Sequence, residues 1–180
     1  KVVTTYLQKS PELDAALSEV IDYHYKILQE LFPEKGQAVY NEVHLMFEEL
    51  KHFLDHNKST NHAYVYDQVV CYGELVSTKI VSFYLEAHHF TNNWLDSKEC
   101  IKTDNNYRDA GVNWELTQAR IKEKVNPKTL TLTQGFLGSN DNNFTTTLGR
   151  EGSDYTAAIF AYCLGAESVT IWKDVPGVLN

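Results

Sequence analysis

The chain has 180 residues, is 43% apolar and 22% charged, and carries a formal charge of −8. That composition is ordinary for a globular domain, a chain of this length buries about 70% of its unfolded surface, and an acidic balance without a basic stripe argues against a nucleic-acid binder. Three scattered cysteines, Cys71, Cys100 and Cys163, are too few for a disulfide framework, and with no run of about 18 apolar residues and no signal pattern a reducing cytoplasm is the expected compartment.

Lys1-Val2-Val3 reads as the tail of a strand. A helix is expected from Pro11, with Ser10 as its N-cap, because Leu13, Leu17, Val20, Ile21, His24, Ile27, Leu28 and Leu31 recur at three-and-four spacing. Pro33 and Gly36 punctuate. A second helix runs through Val39, Val43, Met46, Phe47, Leu50 and Leu54, and the polar residues 56–62 read as a turn. A third helix is expected from about Tyr66 to Ala87. Its interior Gly73 costs about 1 kcal/mol against alanine, which suggests that something approaches the backbone there. The seven histidines show no ligand spacing. His24 and His44 fall on or near apolar helical faces, and His88-His89 closes the third helix.

Residues 90–95 have strand content, 113–125 helical content, and 129–133 alternate Thr and Leu as a strand does. A helix over 153–164 and a strand over 168–172 complete a strand–loop–helix–strand unit, expected to be a right-handed parallel crossover. Ligands of such sheets sit at the carboxyl ends of the strands. Both the 134–150 loop and Lys173–Gly177 leave from those ends.

The 134–154 stretch concentrates the chemistry. Gln134-Gly135-Phe136-Leu137-Gly138 and Thr145-Thr146-Thr147-Leu148-Gly149-Arg150-Glu151-Gly152-Ser153-Asp154 combine glycines, hydroxyls, one arginine and one aspartate before a helix N-terminus. Glycine lets backbone N–H groups approach a ligand, a helix N-terminus favours an anion, and arginine presents a planar fork to carboxylate or phosphate. Taken alone, Ser153 and Asp154 read as caps, Phe136 as core, Arg150 as a solvated loop residue, Thr147 as a strand-edge residue and Glu74 as a helix-surface residue.

The stretch resembles the aspartokinase branch of the amino acid kinase family, whose pattern reads Thr-Gln-Gly-Phe-Ile-Gly and then Thr-Thr-Thr-Leu-Gly-Arg-Gly-Gly-Ser-Asp-Tyr-Thr-Ala. Glu151 stands where the family has a glycine. Cys71-Tyr72-Gly73-Glu74-Leu75-Val76-Ser77 is similar to the family's Ser-x-Gly-Glu-Leu-x-Ser. Ile171-Trp172-Lys173-Asp174-Val175-Pro176-Gly177-Val178 is similar to its nucleotide segment Trp-Thr-Asp-Val-x-Gly, with Lys173 replacing a threonine. Trp94-Leu95-Asp96 and Ile101-Lys102-Thr103-Asp104 fit its linking segment and are assigned structure.

The resemblance implies an α/β amino acid kinase fold, a three-layer α-β-α sandwich with a mostly parallel sheet, here incomplete. It implies one partial catalytic domain over 1–180 with a helical part at 10–62, and no regulatory ACT domains. It implies an aspartate kinase that moves the γ-phosphoryl of ATP, with Mg2+, to the side-chain carboxylate of L-aspartate, giving 4-phospho-L-aspartate for lysine, threonine and methionine synthesis. Glu74, Phe136, Thr147 and Arg150 would hold the amino acid, Ser153, Lys173 and Asp174 the nucleotide, and Asp154 would be catalytic. The parent protein is expected to be a homo-oligomer. Other readings are a kinase for glutamate or another small carboxylate, and a non-catalytic binding or assembly module. The family's Lys-Phe-Gly-Gly-Thr-Ser motif and the loop after it are absent, with Thr4 and Thr5 as possible remnants of that loop. A protein of Lys1–Asn180 alone is therefore expected to be a poor kinase.

Overall fold

The computed structural model describes residues 1–34 and 38–174. Its first half is helical: α1 (Val2–Leu7), α2 (Leu13–Leu31), α3 (Ala38–His56) and α4 (His62–Ala87). Their apolar stripes meet in one core, where Leu28, Val39, Val43, Phe47, Leu50, Val65 and Val76 are at most 2% exposed. His24 is buried in this core against the Phe47 ring, whereas His44 is exposed.

Several boundaries differ from expectation, each for a local reason. Lys1-Val2-Val3 is not a strand tail. Val2 and Thr5 turn inward from a helix that packs on α2 and α4, and the Thr5 hydroxyl donates to the Val2 carbonyl at 2.9 Å. Tertiary burial overrides the strand preference of β-branched residues here, and Thr4 and Thr5 are helical, not loop remnants. Ser10 caps a turn rather than α2. Its hydroxyl accepts the Glu12 N–H at 3.2 Å, and Glu12 takes the N-cap position. Helix α4 starts four residues before Tyr66, because the Asn61 side chain accepts the Ala63 and Tyr64 N–H groups at 3.0 and 3.2 Å. A β-carbon on Gly73 would meet nothing within 4 Å among the described residues, so no neighbour explains that glycine.

The second half contains β1 (Asn92–Leu95), α5 (Ser97–Cys100), α6 (Trp114–Lys124), β2 (Leu130–Thr133), β3 (Leu137–Ser139), β4 (Thr145–Thr147) and α7 (Gly152–Leu164). Strands β1 and β2 pair in parallel from Asn92↔Leu130 to Leu95↔Thr133, and β3 and β4 form an antiparallel hairpin. Helix α4 packs on β1, β2 and β4, while α5, α6 and α7 enclose a second core of Leu95, Ile101, Ile121, Leu148 and Ile159. The class is α/β, as expected. All three cysteines are free and buried, and burial pushes the Cys71 and Cys100 thiols up to about 11, so they are inert.

The expected strand over 168–172 does not form, and neither does the crossover it would complete. Those residues carry no regular structure, and Val169, Ile171 and Trp172 are exposed. Alternating apolar residues supply strand preference, but a strand exists only when a neighbour completes its ladder. Gly36 and the nucleotide-segment residues Val175, Pro176, Gly177 and Val178 lie outside the described residues.

Candidate active site

The loop after β2 is fixed by Gln134, which has no exposed surface. Its side-chain oxygen accepts the Ser97 N–H at 2.8 Å, and its amide donates to the Thr78 hydroxyl at 3.0 Å. The chain then crosses the start of α7 at van der Waals limits. A β-carbon on Gly135 would lie 2.6 Å from Ser153 Oγ, and one on Gly152 would lie 2.5 Å from Phe136 Cβ. Only glycine permits both contacts. Phe136 between them is left-handed at φ +49, its N–H donates to the Thr156 hydroxyl at 2.9 Å, and its carbonyl accepts the Leu148 N–H at 3.0 Å. Such a conformation persists where surrounding contacts over-determine it.

The β3–β4 hairpin then returns the chain to the same place. Thr147 donates its backbone N–H and its hydroxyl to Asp67, each at 2.9 Å. The hydroxyl hydrogen is therefore committed inside the protein, and the oxygen is left as an acceptor. Gly149 follows at φ +79, where a β-carbon would lie 2.6 Å from Asp109 Oδ1. Glu151 takes the N-cap position of α7 at φ +55 and gives no side-chain cap. Ser153 and Asp154 thus lie in the first turn rather than at the cap. The uncapped N–H groups of that turn make it an anion-binding end.

These elements enclose a cleft of about 430 Å3. Six of the eight residues singled out in the sequence border it: Phe136, Thr147, Arg150, Ser153, Asp154 and Lys173. Arg150 is exposed there and forms no ion pair among the described residues. Lys173 Nζ is 2.7 Å from Asp154 and 3.7 Å from Glu151, and the Asp154 hydrogen bond raises its pKa.

The other two lie elsewhere. Glu74 borders a neighbouring groove of about 470 Å3, which shares Ser153 with the cleft. Burial raises its pKa, and the nearby Gly135 backbone opposes the rise. Asp174 is exposed and is not among the residues bordering the cleft.

Sequence reasoning missed Asp67, Arg108 and Tyr66. Asp67 is fully buried and accepts the Arg108 N–H at 2.9 Å besides its two bonds from Thr147. Burial raises its pKa, and those three donors oppose the rise. One signal was readable: Asp67, Cys71 and Leu75 recur at i, i+4 and i+8, which puts a carboxylate in phase with an apolar face. Arg108 and Tyr66, which also border the cleft, carry no such signal.

A family model described as "Amino acid kinase family" matches residues 14–180. Lysine-sensitive aspartokinase 3 of Escherichia coli is 39% identical over 116 residues, 62% of this chain and 26% of that protein. A bifunctional aspartokinase/homoserine dehydrogenase 1 of Zea mays, chloroplastic, is 30% identical over 177 residues, 92% of this chain and 19% of that protein. Among solved structures, E. coli aspartokinase III in complex with aspartate and ADP superposes with a TM-score of 0.84 at 27% identity, covering 98% of this chain and 41% of that one. The chain thus spans less than half the length of each of these relatives.

Proposed function

The chain belongs to the amino acid kinase family, and we propose that its cleft serves an aspartate kinase, which transfers the γ-phosphoryl of ATP to the side-chain carboxylate of L-aspartate and yields 4-phospho-L-aspartate. The observation that carries this reading is the convergence of Phe136, Thr147, Arg150, Ser153 and Asp154 on one cleft at the N-terminus of α7. Phosphoryl transfer asks mainly for positioning and for neutralisation of charge. The Arg150 fork would take a substrate carboxylate, with Phe136 and the Thr147 oxygen shaping the pocket beside it. The first turn of α7, from Gly152 to Asp154, would face the phosphates.

Lys173 is the cation at that end. Its ion pairs with Asp154 and Glu151 hold it there, and Asp154 orients it. Among the described residues no three His, Cys, Asp or Glu side chains are grouped to hold a metal. A Mg2+ would arrive on the nucleotide phosphates, which needs only one or two protein carboxylates, with Asp154 of the cleft the candidate. Bound there, it would neutralise phosphate charge. Glu74, in the adjoining groove, would reach an ammonium group across Ser153. Asp174, next to Lys173 in the chain, would join the nucleotide side.

We place the chain within the catalytic domain of a cytoplasmic, homo-oligomeric enzyme of amino-acid biosynthesis. No helix of the described residues is long and apolar enough to cross a membrane. An acyl phosphate product reacts with hydroxylamine, which supplies the test. Incubation with MgATP, hydroxylamine and either L-aspartate or L-glutamate should release ADP, slowly for residues 1–180 alone, and yield the aspartyl hydroxamate in preference to the glutamyl one. A preference for L-glutamate would move the assignment to a related kinase. L-aspartate that binds without ADP release would favour a binding module.

A further inference from the structure

Arg108 borders the same cleft as Arg150, yet nothing in the phosphoryl-transfer scheme above uses it. Its backbone is left-handed at φ +72. A non-glycine residue keeps that conformation only where neighbours enforce it. The neighbours here are specific. Asp67 Oδ2 accepts the Arg108 N–H and the Thr147 N–H, both at 2.9 Å. The Ala110 N–H donates to the Thr147 carbonyl at 3.0 Å. The Arg108 carbonyl and Asp109 Oδ1 crowd the space where Gly149 would carry a β-carbon, at 3.5 and 2.6 Å. The loop is also closed on itself, since Asp104 Oδ1 accepts the Asn106 and Gly111 N–H groups and the Asn106 amide donates to the Asp109 carbonyl. Residues 108–110 are therefore bracketed onto Thr147–Gly149, immediately before Arg150.

The guanidinium lies 4.7 Å from the centroid of Tyr66, another residue of the cleft. It forms no ion pair among the described residues, in a chain whose formal charge is −8. An aromatic face steadies a guanidinium without neutralising it and leaves its N–H edge free for bidentate bonding. Arg108 is exposed, as Arg150 is, and both border the cleft.

We propose that Arg108 is a second oxyanion-binding guanidinium of this cleft, set in place by Asp67 and steadied by Tyr66, and that it takes a carboxylate or phosphoryl group of the bound ligand. Its attachment to Thr147 and Gly149, rather than to the α7 start where Lys173 pairs with Asp154, favours the carboxylate. That choice rests on the aspartate kinase reading, whereas the oxyanion site itself does not.

The test is calorimetric titration of the chain with L-aspartate, MgATP and inorganic pyrophosphate. Arg108→Gly removes the guanidinium and relieves the backbone, so its melting temperature should hold or rise. Arg108→Met keeps the aliphatic stem. Both variants should weaken L-aspartate binding by about tenfold or more and leave MgATP unaffected, with Arg108→Lys restoring only part. A loss confined to MgATP and pyrophosphate would uphold the oxyanion site and make phosphate its ligand. Unchanged affinity of Arg108→Gly for all three ligands would overturn the proposal and leave the kinase reading standing. Wild-type chain that binds pyrophosphate through Arg108 but ignores L-aspartate and MgATP would uphold it and sink the kinase reading. Wild-type chain that binds none of the three would overturn both.

Discussion

Asp67 accepts both the backbone N–H and the hydroxyl of Thr147, each at 2.9 Å, across 80 residues of sequence. One buried carboxylate thus ties α4 to the last residue of β4 at the edge of the cleft. Asn at this position keeps one acceptor oxygen for the two N–H groups, but it loses the charge on those bonds and its NH2 forces the Thr147 hydroxyl to turn from donor to acceptor. Asp67→Asn should therefore destabilise the fold by about 1–3 kcal/mol. The figure should fall at the low end of that range, because burial outweighs those donors and raises the Asp67 pKa. Urea unfolding of the two proteins gives the difference.

The glycines sort into two kinds, and alanine substitution should separate them. Gly135→Ala and Gly152→Ala drive a β-carbon to 2.6 Å from Ser153 Oγ and 2.5 Å from Phe136 Cβ, so each should cost about 1–3 kcal/mol and disturb the cleft. Gly73→Ala meets open space inside α4 and should gain about 0.5–1 kcal/mol. Thermal unfolding of the three variants should show opposite signs.

Glu151 holds a left-handed backbone that glycine adopts freely. Glu151→Gly should stabilise the chain by about 0.5–1 kcal/mol, net of the extra entropy of an unfolded glycine. Glu151→Ala keeps the strained backbone while removing the carboxylate near Lys173, so it should not share the gain. Equal melting temperatures for the two variants would show that the backbone carries no strain there.

Burial raises the pKa of Glu74 above its unfolded value. For a carboxyl shifted upward, the associated stability is full below the unfolded pKa of about 4.3 and is lost as pH rises through the folded value. Glu74→Gln imitates the neutral form. Its melting temperature relative to wild type should therefore improve between pH 4 and pH 7, even as L-aspartate binding is lost. A difference that is flat with pH would remove Glu74 as a desolvated carboxylate.

The helical half was legible because apolar periodicity reports a buried face directly, as Leu28, Val43 and Phe47 show. Its boundaries were less so, since Ser10 and Asn61 are equally good cap residues and only the surrounding chain decides which of them starts a helix. The unformed strand at 168–172 marks another limit, for strand preference does not name a partner strand. In the cleft, the glycine–hydroxyl–arginine run announced Phe136, Thr147, Arg150, Ser153 and Asp154. It could not announce Arg108, which borders the cleft, or Asp67, which is tied to Arg108 and to Thr147 by hydrogen bonds across 41 and 80 residues of sequence. Nor could the spacing of Glu74 and Arg150 show that they border adjacent cavities.

The most direct test of the aspartate kinase reading is calorimetric titration of L-aspartate into wild-type chain and into Arg150→Lys. Lysine keeps the charge but cannot reproduce the fork. The account predicts that wild type binds L-aspartate and that Arg150→Lys binds it about 10–100-fold more weakly, with an unchanged melting temperature. L-aspartate binding of undiminished strength in Arg150→Lys, or none to wild type, would contradict it.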